Sequence, residues 1–227
     1  MAERGHCTRA LLARLNPGKS LDGLAVGDVL TLPNVATEPP LARAARLVVN
    51  LAVKQVQPVA RDGRALGLFH CSIAKHKEKR PSGRCTVKVV SPDPVYVFDP
   101  KMWPEVKGVD RKLVIPPGPR NPVGQFWIGL SLPGYGIHGT PEPELIGKTG
   151  SHGCFRLANW DAVRLGRMVR PGIPVEFVNS AAAPDETALR GGPALAAAPA
   201  ARRGPDATVS RPVRLMALRR ASRDPSR

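Results

Sequence analysis

Short apolar and β-branched runs, each cut off by a turn signal, limit this chain to a fold built mainly of strands. Residues 47–53 (Leu-Val-Val-Asn-Leu-Ala-Val) are the first such run. Arg61-Asp62-Gly63-Arg64 supplies a hairpin turn centred on Asp-Gly, and residues 65–73 return as a second strand. Residues 81–90 form another, broken by Ser91-Pro92-Asp93-Pro94. Residues 124–130 and 173–178 read as two more. One segment has a different period. Asn159 reads as an N-cap, and the helix after it puts Trp160, Val163 and Met168 on one side, widened by Leu165 and Val169. Pro171-Gly172 ends it. Residues 99–122, rich in Pro, Gly and charge, form a long loop of the kind that borders a binding cleft, with Tyr96 and Trp103 as candidates to line it.

The reactive side chains gather in two stretches. One is Tyr135-Gly136-Ile137-His138-Gly139-Thr140; the other is Ser151-His152-Gly153-Cys154-Phe155-Arg156-Leu157. If the second is extended, His152, Cys154 and Arg156 share one face, while Phe155 and Leu157 anchor the other in a core. A thiol with a histidine in reach is the minimum kit for covalent acyl transfer, because the thiolate is the nucleophile and a base makes it available. Two histidines compete for that role. His152 is two residues from Cys154; His138 reaches it if residues 140–150 form a hairpin, which their prolines and glycines suit. Spacing alone does not choose between them.

The pattern His138-Gly139-Thr140, then Ser151-His152-Gly153-Cys154 with Arg156 two beyond, resembles the signature of the YkuD-type L,D-transpeptidases, cysteine acyltransferases of the bacterial cell wall. Residues 116–124 precede it as in that family, and Asn159-Trp160-Asp161-Ala162 and Pro171-Gly172-Ile173-Pro174-Val175 follow it. Residues 81–87 resemble the family's strand entry, with Cys85 in place of the usual aromatic. The resemblance covers roughly residues 44–179. It implies a β-sandwich-like catalytic domain with one main helix after the nucleophile. It also implies Cys154 as nucleophile and His138 as its base, oriented by the carbonyl of Gly139. Backbone donors around Gly153 and Cys154 would form the oxyanion hole, with His152, Ser151 and Arg156 shaping the site and the substrate subsite.

The remaining sequence sets the domain boundaries. Residues 1–37 carry a short helix ended by Asn16-Pro17 and a turn-and-strand, Val26-Gly27-Asp28-Val29-Leu30-Thr31-Leu32, which together resemble the second half of a LysM module. Residues 38–45 are a linker, 46–179 the catalytic domain, and 180–227 a basic Ala/Pro/Arg-rich tail expected to be disordered, with residues 212–220 able to form a short basic helix. Net charge is +16, much of it from arginines in that tail, and it favours anionic partners. Aromatics are scarce, so the core must come from Val, Leu, Ile and Ala. The four cysteines, Cys7, Cys71, Cys85 and Cys154, form no C-x-x-C pair, which argues against structural zinc. His70, Cys71 and His76 make an untidy cluster, and a Cys71–Cys85 disulfide is an option in an oxidising compartment. No run approaches the ~20 apolar residues of a membrane span. Nor is a signal peptide visible, which suggests a native start upstream, since the family works in the periplasm or cell envelope.

The expected function is therefore a cysteine L,D-transpeptidase. It would cleave the diaminopimelate–D-Ala bond of peptidoglycan stem tetrapeptides through a thioester and pass the acyl group to an amine, as in 3-3 cross-linking. No metal or organic cofactor is implied, and nucleic acid is not an expected partner. The alternatives are an L,D-carboxypeptidase, with water as acceptor, and a non-catalytic basic wall-binding protein.

Overall fold

The structure, a computed structural model, describes residues 1–35, 42–103, 106–148, 150–151 and 153–181, together with the backbone of 211–214. The chain divides into two units, residues 1–38 with 200–227, and residues 39–199.

In the smaller unit, Thr8 caps helix α1 (Arg9–Leu15) by accepting the Leu11 N–H at 3.1 Å. Asn16 ends the helix and then binds strand β1 (Val29–Leu32) by its side chain. Its Nδ2 donates to the Leu12 and Thr31 carbonyls, and its Oδ1 accepts the Thr31 N–H at 2.7 Å. Cys7, Leu12 and Leu32 form the small core beneath. The expected helix and strand both form. The helix expected over 212–220 does not begin at Pro212: residues Arg211–Arg214 are extended and pair antiparallel with β1. The rest of the tail from residue 182 lies outside the described residues.

The larger unit holds β2 (Arg46–Asn50), β3 (Gln55–Val59), β4 (Phe69–His70), β5 (Gly83–Pro92), β6 (Tyr96–Phe98), β7 (Leu113–Ile115), β8 (Phe126–Leu130), β9 (Gly136–His138) and β10 (Phe155–Arg156). Helix α2 (Asn159–Met168) and β11 (Pro174–Val178) follow. Eight of these strands form one sheet in the order β10-β9-β8-β5-β11-β2-β3-β4. The sheet curls until its ends meet, because Ser72, just past β4, bridges Arg156 of β10, and Ala74 bridges Ser151. Closure of this kind leaves no long unpaired edge. The core is aliphatic, as the composition requires: Leu47, Val49, Val56, Val87, Ile128, Ile137, Leu157, Leu165 and Val175 are buried, joined by Phe155 stacked on Phe177. Each such side chain is worth about 1.5–3 kcal/mol on burial. Among the described residues no helix is long and apolar enough to cross a membrane.

The strand boundaries differ from the sequence reading for local reasons. The run 47–53 stops at Asn50, whose Oδ1 accepts the Ala52 N–H, and Lys54 turns the chain with a φ of 53°. That tight turn creates β3 over Gln55–Val59, a strand whose glutamines and proline hid it. The Asp62-Gly63 turn is real, with Gly63 at φ +86°, but the return strand shrinks to Phe69–His70. The long loop at 99–122 contains β7, which pairs with β6 to raise a two-stranded flap apart from the main sheet. Residues 140–150 are not a hairpin turn: β9 and β10 lie side by side in parallel, so the segment between them is a crossover.

Candidate active site

Cys154 and His138 line one cleft of about 640 Å³, together with Lys79, Tyr96, Met102, Trp103, Pro122, Val123, Trp127, Gly134, Ser151, Gly153 and Arg156. The parallel register of β9 and β10 creates this proximity. It matches Ile137 with Phe155 and His138 with Arg156, so Cys154 stands beside Gly136. A backbone hydrogen bond from Gly136 reaches the sulfur, and the thiol donates to the Gly134 carbonyl at 3.6 Å. Alternation along β10 then does what the sequence predicted: Phe155 and Leu157 are buried anchors, while Arg156 and Cys154 stay half-buried at the cleft.

His138 is held on three sides. Its backbone carbonyl accepts the Leu157 N–H at 2.8 Å, and its ring stacks on Trp127 with centroids 5.5 Å apart. Nδ1 lies 2.6 Å from the Gly139 carbonyl oxygen. Two acceptors cannot meet at that distance, so Nδ1 carries the hydrogen and Nε2 is left as the basic nitrogen. Trp127 fits because β9 is glycine there. A Cβ on Gly136 would overlap the indole ring, and one on Gly129 would meet its Nε1 at 2.9 Å.

Ser151 braces the turn that carries the sulfur. Its hydroxyl donates to the Cys154 carbonyl and accepts the Gly153 N–H at 3.2 Å. The donor expected to hold an oxyanion at Gly153 is thus already engaged with Ser151. Arg156 donates through Nη2 to the Gly150 carbonyl at 2.8 Å, and its backbone bonds Ser72 in both directions. His152 lies outside the described residues.

Electrostatics keep the pair neutral at rest. Burial pushes the His138 imidazole down from its ordinary 6.5 to about 4; the bond to Gly139 pulls it upward, and the Arg156 cation lowers it further. Burial raises the Cys154 thiol above its ordinary value, against the opposing pull of the Gly136 hydrogen bond and Arg156. The site therefore rests as thiol and imidazole, and proton transfer to Nε2 belongs to the reaction, not to the resting state. Among the described residues lining the cleft no carboxylate stands, whereas Lys79 and Arg156 both do, which suits an anionic ligand.

Tyr96 and Trp103 both line the cleft, and Tyr96, on the flap, is hydrogen-bonded to Trp103. The sequence reading gives no role to Trp127 or Lys79, and a different one to Asn159. Trp127 was legible in principle, since Phe126, Ile128 and Leu130 take the core face of β8 and leave Trp127 on the other. Lys79 sits in a basic, exposed loop, and Tyr135 clamps that loop by donating its hydroxyl to the Lys79 carbonyl at 2.8 Å. Asn159 is not an N-cap: Ala158 occupies that position, and the Asn159 amide turns inward. The four cysteines are free, Cys71 and Cys85 among them.

Residues 44–177 match the family described as YkuD, the L,D-transpeptidase catalytic domain. The L,D-transpeptidase YkuD of Bacillus licheniformis is 28% identical over 170 residues, covering 75% of this chain and 86% of that protein. The L,D-transpeptidase YqjB of Bacillus subtilis is 30% identical over 158 residues, covering 67% of this chain and 81% of that one. Among solved structures, L,D-transpeptidase 3 from Mycobacterium tuberculosis aligns at 18% identity and a TM-score of 0.46, over 59% of this chain and 60% of that one. The family match takes in the curled sheet, Cys154, His138 and every other residue of the cleft, and the chain belongs to the YkuD family of L,D-transpeptidase catalytic domains.

Proposed function

We propose that Cys154 is the nucleophile and His138 the base of a cysteine-dependent L,D-transpeptidase acting on peptidoglycan stem tetrapeptides in the cell envelope, with residues 46–179 as its catalytic portion. The observation that carries this reading is the fixed tautomer of His138: with Nδ1–H donating to Gly139, the lone pair of Nε2 belongs to the ring that borders the same cleft as the thiol.

Nε2 takes the thiol hydrogen as sulfur attacks the carbonyl of the diaminopimelate–D-Ala bond. The resulting oxyanion is held by the backbone N–H of Cys154, an effect worth about 3 kcal/mol per donor in acyl transfer. The imidazolium returns its proton to the departing amine of D-Ala, leaving a thioester. The amine of a second stem peptide then attacks, His138 takes a proton from it, and the thiol is regenerated when that proton passes back to sulfur. Arg156 and Lys79 supply the positive field for the substrate's carboxylates.

Incubation with defined disaccharide tetrapeptides tests the reading. Cross-linked dimers and free D-Ala from the wild type, with neither from Cys154→Ala, support it. Turnover that persists in Cys154→Ala refutes it, and trimmed monomers without dimers reassign the acceptor to water.

A further inference from the structure

We propose that Asn159 is a positioning residue for His138, acting through the Gly139 carbonyl. The proposal rests on His138 being the base.

Asn159 is a polar side chain with 0% exposure, in the first turn of α2. Its Nδ2 donates to the Pro119 carbonyl at 3.1 Å and its Oδ1 accepts the Gln125 N–H at 3.2 Å. The side chain fills the space that Cβ atoms on two glycines would need: one on Gly124 or on Gly139 would overlap Asn159 Oδ1. Gly124 stands at φ +65° and its Cα would lie only 3.2 Å from a Cβ on Gly139. Two backbone segments and the amide therefore meet at one point.

That point is the peptide that orients the base. The Gly139 N–H donates to the Phe126 carbonyl at 3.2 Å, which fixes one side of the residue. The other side, its carbonyl, must aim at Nδ1 of His138. Glycine has wide freedom in that rotation. Packing of Asn159 and Gly124 against Gly139 removes the freedom, and the bonds from Asn159 to Pro119 and Gln125 hold Gly124 in place. The requirement for glycine at both positions and for a compact, two-sided amide at 159 has a single cause.

Asn121 is the natural control. It is equally buried, and its Nδ2 donates to the Pro94, Ile115 and Pro116 carbonyls while its Oδ1 accepts the Val123 N–H. Those partners hold the two legs of the β6–β7 flap, not Gly139.

The test uses the full-length chain labelled with 15N, the His138 ring assigned with His138→Gln, and long-range 15N–1H spectra that report which ring nitrogen carries hydrogen. Wild type at pH 7 is expected to be the Nδ1–H form. Asn159→Ala should populate the Nε2–H form and lower kcat on the order of 10- to 100-fold with KM within about 2-fold, the usual cost of a displaced catalytic group. Asn159→Asp keeps the volume against Gly139 and the acceptor for Gln125, and retains the Nδ1–H form. Asn121→Ala should raise KM and leave the tautomer alone. Should the alanine variant not fold, Asn159→Ser is read in the same way. An unchanged tautomer in Asn159→Ala or Asn159→Ser overturns the proposal, as does an equal shift in Asn121→Ala. A wild-type chain with the expected tautomer but no turnover removes the catalytic reading instead and leaves the role of Asn159 on His138 standing.

Discussion

Replacing His138 by glutamine should change how the larger unit responds to acid. Burial lowers the imidazole from 6.5 unfolded to about 4 folded. The unfolded chain then binds the proton first, so stability present above pH 6.5 is lost as pH falls towards 4, by about 3 kcal/mol. Asp161 works in the opposite direction. Burial raises its carboxyl from 3.8 to about 6, with the His70 charge pulling the other way. Its folded form holds the proton more tightly, so its contribution is present below pH 3.8 and lost as pH rises through 6. The ceiling of that effect is again about 3 kcal/mol, reduced by the part of the side chain that water still screens. The two slopes oppose each other in the wild type between pH 4 and 6. His138→Gln should gain stability on acidification, and Asp161→Asn should lose it. Urea unfolding followed by tryptophan fluorescence reads this directly, since Trp103, Trp127 and Trp160 all lie in the larger unit. A His138→Gln variant with the same pH slope as wild type would refute the reasoning.

Three further expectations follow from particular contacts. Iodoacetamide at pH 8 should label Cys154 before Cys71, because Cys154 lines the cleft while Cys71 is fully buried with its thiol pushed up to about 12; peptide mapping showing Cys71 modified first would contradict this. Asn16→Ala should leave the Thr31 N–H and carbonyl without their side-chain partner, at about 1–3 kcal/mol, and raise amide hydrogen exchange at Thr31; unchanged protection there would show that Asn16 does not secure β1. Lys79→Met should raise KM for stem peptides a few-fold at low salt with little change in kcat, since an exposed cation gives up to about 1 kcal/mol; a salt-independent KM equal to wild type would remove Lys79 from substrate binding.

What the sequence made legible follows from which interactions are local. Strand content, the helix after Cys154 and the cysteine-histidine pairing all come from alternation, period and motif, which neighbouring residues determine. The topology of the pair did not. Prolines and glycines in 140–150 suit a hairpin, but β10 lies parallel to β9 and pairs on its other side with Ser72, a long-range contact that local turn chemistry does not encode. The protonation states were equally out of reach. A histidine near a cysteine suggests a ready ion pair, whereas burial of the ring and partial burial of the sulfur favour the neutral pair. Asn159 shows the limit most clearly. Asparagine before an amphipathic run is a good cap signal, yet the amide is claimed by Pro119 and Gln125, residues more than thirty positions away.

The central claim is that sulfur at position 154 takes up the acyl group. Brief incubation with a stem tetrapeptide, acid quench and intact-mass measurement test it without reference to the acceptor. The account predicts a labile adduct with the mass of the acyl tripeptide, mapped to the peptide containing Cys154, absent from Cys154→Ala and strongly slowed in His138→Gln. An adduct on another residue, or turnover to free D-Ala by the Cys154→Ala protein, would contradict it.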